Sequence, residues 1–264
     1  MKMNFIKNKS NFWVLITAIL LTISISIAFF IFVPQSQKRK IAFETYYNAL
    51  VDAEQVKSDK ISTGLTAIVK DNPMIQWQGD RLKVATFTNH KYEIGSTEPQ
   101  SRELWVTVVP ELQNSCTKYS QAGIELIPRV EQLLGLPLSH KKTRNVVEFW
   151  VHPNDLFRPT PDPEITDHEA QLDFPQAYTF LTVSDQYKDW YNSRVAEFER
   201  RFKEKNPAKM PAPWTRLGYT YDWGESSNHI GLSEFVLVKG GGMEVASVTE
   251  VNDYCGGDDL TAAK

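Results

Sequence analysis

The uncharged stretch from Phe12 to Val33 constrains this chain more than any other feature of its sequence. It contains 22 residues (12 to 33), and at about 1.5 Å of rise per residue a helix of that length crosses a hydrocarbon core of roughly 30 Å. A cleaved signal peptide has a shorter apolar region that ends in small residues, whereas here Phe29 to Phe32 continue the run past Ser26-Ile27-Ala28. We therefore predict an uncleaved, single-pass signal anchor.

The orientation of this span depends on its flanks. Three basic residues stand on each side: Lys2, Lys7 and Lys9 before it, and Lys38, Arg39 and Lys40 after it. The positive-inside rule is therefore nearly balanced, but short N-terminal tails of signal anchors usually stay inside. We predict that residues 1–11 form a cytoplasmic tail, that 12–33 span the inner (plasma) membrane, and that the rest is extracytoplasmic, in the periplasm or its equivalent.

Charge is distributed unevenly along the chain. Residues 1–40 contain no Asp or Glu and hold 6 of the 29 Lys and Arg, so the remainder carries 23 basic against 32 acidic residues, a net charge of −9. A negative field repels phosphate backbones and anionic headgroups. This argues against nucleic acid as a partner of the folded part, although an acidic face is also what an ordinary solvated surface shows.

One domain is predicted beyond the membrane. Residues 34–70 are expected to form a basic stop and a stalk helix, Ile41 to Asp59, which either docks on the domain or makes a dimer seam. Six of the seven Trp lie in the part after the span, which favours a packed core over 71–255. The last residues, 256–264, are predicted to be a flexible tail.

Periodicity predicts the secondary structure of that domain. Alternating runs indicate strands at Arg81 to Thr88, Leu104 to Val109, Asn145 to His152, Arg216 to Trp223, Ser233 to Lys239 and Met243 to Thr249. Helical spacing indicates helices at Ser184 to Lys205 and, interrupted by Pro128, at Thr117 to Leu134. We predict an α+β fold with a mixed or antiparallel sheet covered by about two helices, in which Gly240 to Gly242 turn a hairpin between the last two strands.

Cys116 and Cys255 are the two cysteines of the chain. They are too few for a disulfide scaffold and lack the spacing of a zinc or redox motif. Two buried free thiols are one possibility. We predict a bridge between them, because both lie in the part assigned to an oxidising compartment.

No motif of a known catalytic class is complete. His168-Glu169 opens a zinc-protease pattern, but Leu172 stands where the second His is required, and Gly231 to Phe235 lacks the second Gly of a nucleophile elbow. The carboxylates near 155–169 do not match the spacing of a calcium loop. We predict neither a metal nor a cofactor.

Two segments concentrate unusual residues and supply the candidate contacts with a ligand or partner. One is the proline-rich loop from His152 to Glu164, and the other is the aromatic stretch from Pro213 to Trp223. The candidates are Asp155, Arg158, Asp162 and Glu164 in the first, and Trp214, Arg216 and Asp222 in the second. The alternative is structural: Arg158 pairs with a local carboxylate, and the aromatic stripe is core.

Four stretches of the sequence resemble a group of uncharacterised bacterial proteins, cyanobacterial ones among them, that are membrane-anchored conserved hypotheticals. These stretches are 105–113, 149–165, 213–224 and 231–240, and the resemblance covers roughly 104–255. It implies one domain and brings no activity or site. We expect a non-enzymatic domain that binds an envelope protein or another envelope component, a saccharide among them; the alternative is a membrane-tethered hydrolase acting on envelope saccharide or peptide.

Overall fold

The structure is a computed structural model, and it describes residues 35–139, 141, 143–176, 183–204, 206, 209–225 and 227–256. The chain divides into two units, 1–47 and 48–264. Five helices are present in the described part: α1 (Gln35–Ala53), which runs across that division, α2 (Glu111–Gln121), α3 (Leu126–Leu133), α4 (Asp185–Glu204) and α5 (Val251–Gly256).

An antiparallel sheet forms the centre of the second unit. Its strands are β1 (Trp77–Gln78), β2 (Arg81–Thr88), β3 (Thr97–Pro99), β4 (Leu104–Val108), β5 (Asn145–Val151), β6 (Leu156–Phe157), β9 (Phe235–Leu237) and β10 (Gly242–Glu250), while β7 (Tyr219–Tyr221) and β8 (Ile230–Ser233) pair separately. The order across the sheet is β3-β10-β5-β2-β4-β9-β6, with β1 against the start of β2. The α+β class and the antiparallel sheet are confirmed, but five helices are described where about two were expected.

The predicted hairpin of the last two strands is wrong. β5, β2 and β4 lie between β9 and β10 in the sheet. Gly240 does turn the chain, with a φ of 88°, but the turn runs between opposite ends of the sheet. The amide of Gln100, just after β3, donates to the Gly241 carbonyl, and the amide of Val238 donates to the carbonyl of Asp155, just before β6. The sheet therefore curls until its two end strands meet the same turn.

Each face of the curled sheet packs a separate core. One face carries Leu82, Val84, Val106, Phe149 and Phe235, which alternate along their strands and are almost wholly buried. The other face of β2 and β5 packs against α2, α3 and α5. There the Cys116 and Cys255 sulfurs lie 2.12 Å apart, so the predicted bridge is present and joins α2 to α5.

Several predicted elements have different bounds. The helix expected at 117–134 is two helices, α2 and α3, separated by Gly123 with a φ of 69°. Pro128 lies in the first turn of α3, where no amide hydrogen is needed. β7 is shorter than the strand expected from Arg216, because Arg216 and Gly218 both have positive φ. Ser184 caps α4 as predicted, accepting a bond from the Tyr187 amide.

Near the N-terminus, α1 begins and ends earlier than the predicted stalk helix. Residues 48–70 belong to the second unit, in which Leu50, Leu65 and Ile68 are buried. Within the described residues, no helix combines the length and apolarity that a membrane crossing requires. The predicted span 12–33, the tail 1–11 and all of the C-terminal tail except Gly256 lie outside the described residues.

Candidate functional site

A patch on the helix-facing side of β4 and β9 forms the floor of the candidate site. Val106 pairs with Phe235, so Thr107, which follows Val106, and Glu234, which precedes Phe235, stand next to this pair, and Ala85 pairs with Thr107. Because side chains alternate along a strand, Trp105 shares this face with Thr107.

Helix α4 closes a cavity of about 360 Å³ over this floor. Its C-terminal half contributes Arg194, Glu197, Phe198 and Arg201 to the lining, and its amphipathic spacing explains why these residues share one side. The remaining walls come from the segment before β7, from the end of α3 and from β7 itself, and include Leu134, Leu136, Pro211, Pro213, Trp214 and Tyr221. Small-molecule sites have volumes of about 300–1,000 Å³ and mainly apolar walls, so the cavity has the size and character of such a site.

Two polar atoms of the floor have no hydrogen-bond partner. Glu234 Oε1 and Thr107 Oγ1 are both buried and unpaired, in side chains whose residues are 7% and 5% exposed. Burial raises the pKa of the Glu234 carboxyl well above its usual value of 4.5. Glu234 therefore keeps its proton at pH values where an ordinary glutamate has lost it, and it can donate a hydrogen bond.

The backbone around Glu234 is fixed from three sides. The Ser233 amide donates to Glu111 Oε2 at 3.0 Å, and the Ser233 hydroxyl accepts from the Thr66 amide at 2.8 Å. The Glu234 amide donates to the Gly218 carbonyl at 3.0 Å. Burial also raises the pKa of Glu111, although the bonds from Thr66 and Ser233 oppose that rise. The floor is thus rigid, and its unpaired groups do not result from a loose segment.

The other end of the cavity is exposed and electrically balanced. Trp105 is 38% exposed and stands edge-on to Trp214, with ring centroids 6.0 Å apart. Arg194 pairs with both Glu103 and Glu197. Arg201 donates to two backbone carbonyls and lies 4.0 Å from Glu197. Two arginines and two glutamates therefore leave the mouth without a strong field of either sign.

The proline-rich loop does not line this cavity, and Arg158 serves the fold. Its side chain is fully buried and donates to the Asp167 carboxylate, to the Asp167 carbonyl at 2.9 Å and to the Glu169 carbonyl at 2.7 Å. Only its Nε lacks a partner. Burial lowers the pKa of the guanidinium, and Asp167 opposes that. The structural alternative fits Arg158, but its partner is Asp167 and not Asp155, Asp162 or Glu164.

The three carboxylates named from the loop also make local contacts. Asp155 Oδ2 accepts from the Gly242 amide at 3.2 Å, and Asp162 Oδ1 accepts from the Glu164 amide at 3.1 Å. Burial raises the pKa of Asp162. Glu164 accepts from the Thr166 hydroxyl. None of the three lines the cavity under α4, so this cavity does not bring the carboxylates of the proline-rich loop to the aromatic stretch.

Of the candidates in the aromatic stretch, the structure brings Trp214 to the cavity. Its indole Nε1 donates to the Pro159 carbonyl at 3.1 Å, so the proline-rich loop holds this wall in place. Asp222 is buried and accepts two bonds from Arg129, at 2.9 and 2.6 Å. Arg216 donates to the Glu54 carbonyl. Tyr219, Tyr221 and Trp223 are buried, as the alternative core assignment predicted.

A second cavity, of about 200 Å³, lies beside the end of α1. The Tyr221 hydroxyl and the Lys60 ammonium both bond Asp52 at 2.9 Å, and the His229 ring stacks on Tyr221. Burial acts to raise the pKa of Asp52, but these hydrogen bonds lower it overall. Asp52 is thus paired within the protein, and the described residues contain no group of three or more His, Cys, Asp or Glu that could hold a metal. It is the weaker candidate.

Glu234 and Thr107 were not among the residues selected from sequence. A signal was present, because Glu234 is an acidic residue inside an apolar strand pattern and Thr107 interrupts a run of valines. Comparison with known proteins gives no match: no family model, no curated protein and no solved structure matches the chain.

Proposed function

We propose that the chain is a membrane-anchored extracytoplasmic binding domain that holds a small, mainly apolar component of the cell envelope between α4 and the sheet. One observation carries the proposal: an apolar cavity of small-molecule size is lined by two residues, Glu234 and Thr107, that each have a buried, unpaired polar atom. Buried polar groups are normally hydrogen-bonded, and a ligand that bonds these two atoms would meet that requirement.

The proposed location is supported by the uncharged run 12–33 and by the bridge between Cys116 and Cys255, since disulfides persist outside the reducing cytosol. Alkaline phosphatase fused after Lys264 tests it. The enzyme folds only when exported, so we expect the fusion to be active. An inactive fusion, together with an active cytoplasmic reporter at the same position, would contradict the proposed orientation.

Binding is tested by blocking the cavity. Ala212 lines it at an exposed position, so Ala212→Trp fills the entrance without disturbing the core. The full-length chain in lipid nanodiscs is titrated with Nile red, and signal from empty nanodiscs is subtracted. We expect saturable binding by the unmodified chain and its loss in Ala212→Trp.

The matched control is Ala122→Trp, an equally exposed position after α2 that does not line the cavity. This variant should bind Nile red as the unmodified chain does. Equal binding by all three proteins would place the dye elsewhere and contradict the proposal.

A hydrolase is the second candidate, on one specific observation. Glu234 keeps its proton unusually well, and Glu197 contributes a carboxyl group to the same cavity. An acid and a carboxylate in one cavity are the groups that general acid–base hydrolysis uses. Incubation with purified envelope saccharide and peptide tests this: product release that Glu234→Gln abolishes supports the hydrolase, and absence of any product rejects it.

A further inference from the structure

The floor of the cavity also restricts the chemistry of its ligand. Resting on the function proposed above, we infer that the ligand is an uncharged molecule with an apolar body and one buried carbonyl group, of an amide or an ester, bound between Glu234 and Thr107. The apolar body would then lie against Phe198 and Trp214.

The two unpaired atoms favour a carbonyl. Thr107 follows Val106 in β4, Glu234 immediately precedes β9, whose first residue Phe235 pairs with Val106, and both Thr107 and Glu234 line the cavity. Neither the Thr107 hydroxyl oxygen nor the Glu234 carboxyl oxygen Oε1 has a hydrogen-bond partner. A carbonyl oxygen has two lone pairs and no proton, so it can accept from the acid O–H and from the threonine O–H together. A hydrocarbon ligand would leave both groups unpaired, which is costly in an apolar surrounding.

The surroundings of the floor favour a ligand without charge. The mouth contains two arginines that are already paired with Glu103 and Glu197 or bonded to carbonyls. No free counter-ion is therefore offered to an anion by these groups. An ammonium group would have to ionise Glu234 inside an apolar cavity, and desolvating both charges opposes that.

Four probes with a common octyl or octanoyl body separate these chemistries. N-methyloctanamide is neutral with a carbonyl, octanoate is anionic, octylamine is cationic, and octane has no polar group. Each competes with Nile red for the full-length chain in lipid nanodiscs, and partition into empty nanodiscs is subtracted. We expect N-methyloctanamide to compete most strongly.

Two substitutions test the contacts themselves. Glu234→Leu and Thr107→Val keep approximate size and remove the donors, so each should weaken N-methyloctanamide binding roughly three- to tenfold, the value of one neutral hydrogen bond. Binding of octane should be unchanged or tighter. Thr249→Val on β10, outside the cavity, is the matched control and should change neither the binding of N-methyloctanamide nor that of octane. If Glu234→Leu fails to fold, Thr107→Val carries the test alone.

The outcomes separate this inference from the proposed function. If octylamine or octanoate binds most tightly, the ligand is not neutral and the inference is wrong. If N-methyloctanamide and octane bind equally and neither substitution changes this, the carbonyl contact is wrong. In both cases the cavity still binds a small molecule. Failure of Nile red to bind, or of every probe to displace it, overturns the proposed function itself.

Discussion

Two buried ionisable residues, Arg158 and Glu234, both contact Gly218, but they differ in how far the protein satisfies the hydrogen bonds of their side chains. Arg158 fills the space beside the Gly218 Cα, and most of its five hydrogen-bond donors have partners. The backbone amide of Glu234 donates to the Gly218 carbonyl, but its carboxyl oxygen Oε1 has no partner. A buried charge that the protein itself neutralises stabilises one conformation. A buried polar group that the protein leaves unpaired costs stability, and where its residue lines a cavity, as Glu234 does, we propose that another molecule supplies the partner.

The largest expected effect comes from Arg158→Lys. An ammonium on a shorter, flexible stem cannot reproduce the bonds to Asp167 and Glu169, so a buried charge loses partners. We expect a loss of about 2–4 kcal/mol in the free energy of unfolding, measured by urea denaturation. Arg216→Lys, at a half-buried arginine with one bond to the Glu54 carbonyl, should cost less than about 1 kcal/mol. Equal losses in both variants would remove the contrast between Arg158 and an ordinary surface arginine.

Gly218→Ala should have an effect of similar size. A Cβ there would lie 2.7 Å from Arg158 Cδ and 2.9 Å from Leu65 Cδ1, and the φ of 77° is unfavourable for alanine. Strain and overpacking together should cost about 2–4 kcal/mol. Gly240→Ala has a similar φ of 88° but no atom within 4 Å, so it should show the backbone strain of about 1–2 kcal/mol alone. The difference between the two melting curves measures how tightly Arg158 is packed.

Glu234→Gln should have the smallest effect near pH 4.5, and that effect should grow as the pH rises. Folding raises the pKa of Glu234, so above about pH 4.5 the unfolded chain releases a proton that the folded chain retains. The free energy of unfolding therefore falls as the pH rises from about 4.5 toward the raised pKa of Glu234 in the folded protein, by up to about 1.4 kcal/mol per pH unit for one group. The variant should have a shallower decline, and Glu111, whose pKa is also raised, should account for part of what is left. Parallel stability curves for the two proteins from pH 4 to 8 would show that Glu234 ionises normally.

The sequence predicted those features that local chemistry determines. The bounds of β2, the Ser184 cap of α4 and the α+β class follow from alternation, capping and element order, and the structure has each of them. The hairpin at Gly240 failed because a glycine turn fixes the local bend and not the strand that pairs next.

The cavity could not be predicted from the sequence for a similar reason. Thr107 and Glu234 are 127 positions apart (234 minus 107), and only the register of β4 with β9 brings them together. Alternation alone assigned Glu234 and Val236 to one face without saying whether that face meets water or a helix. Arg158, by contrast, drew attention because prolines surround it, and those prolines turned out to shape a loop that supports the Trp214 wall.

The disulfide has a mechanical consequence. Cys116 and Cys255 close a covalent ring with a sequence separation of 139, and β5 to β10 all lie within it. The chain before Cys116 supplies β2 and β4, which sit side by side between β5 and β9 of that ring. While the sulfurs stay joined, tension between the two ends of the chain cannot extend residues 117–254, so it can draw out the part before Cys116, which contains β1 to β4, but not the strands inside the ring.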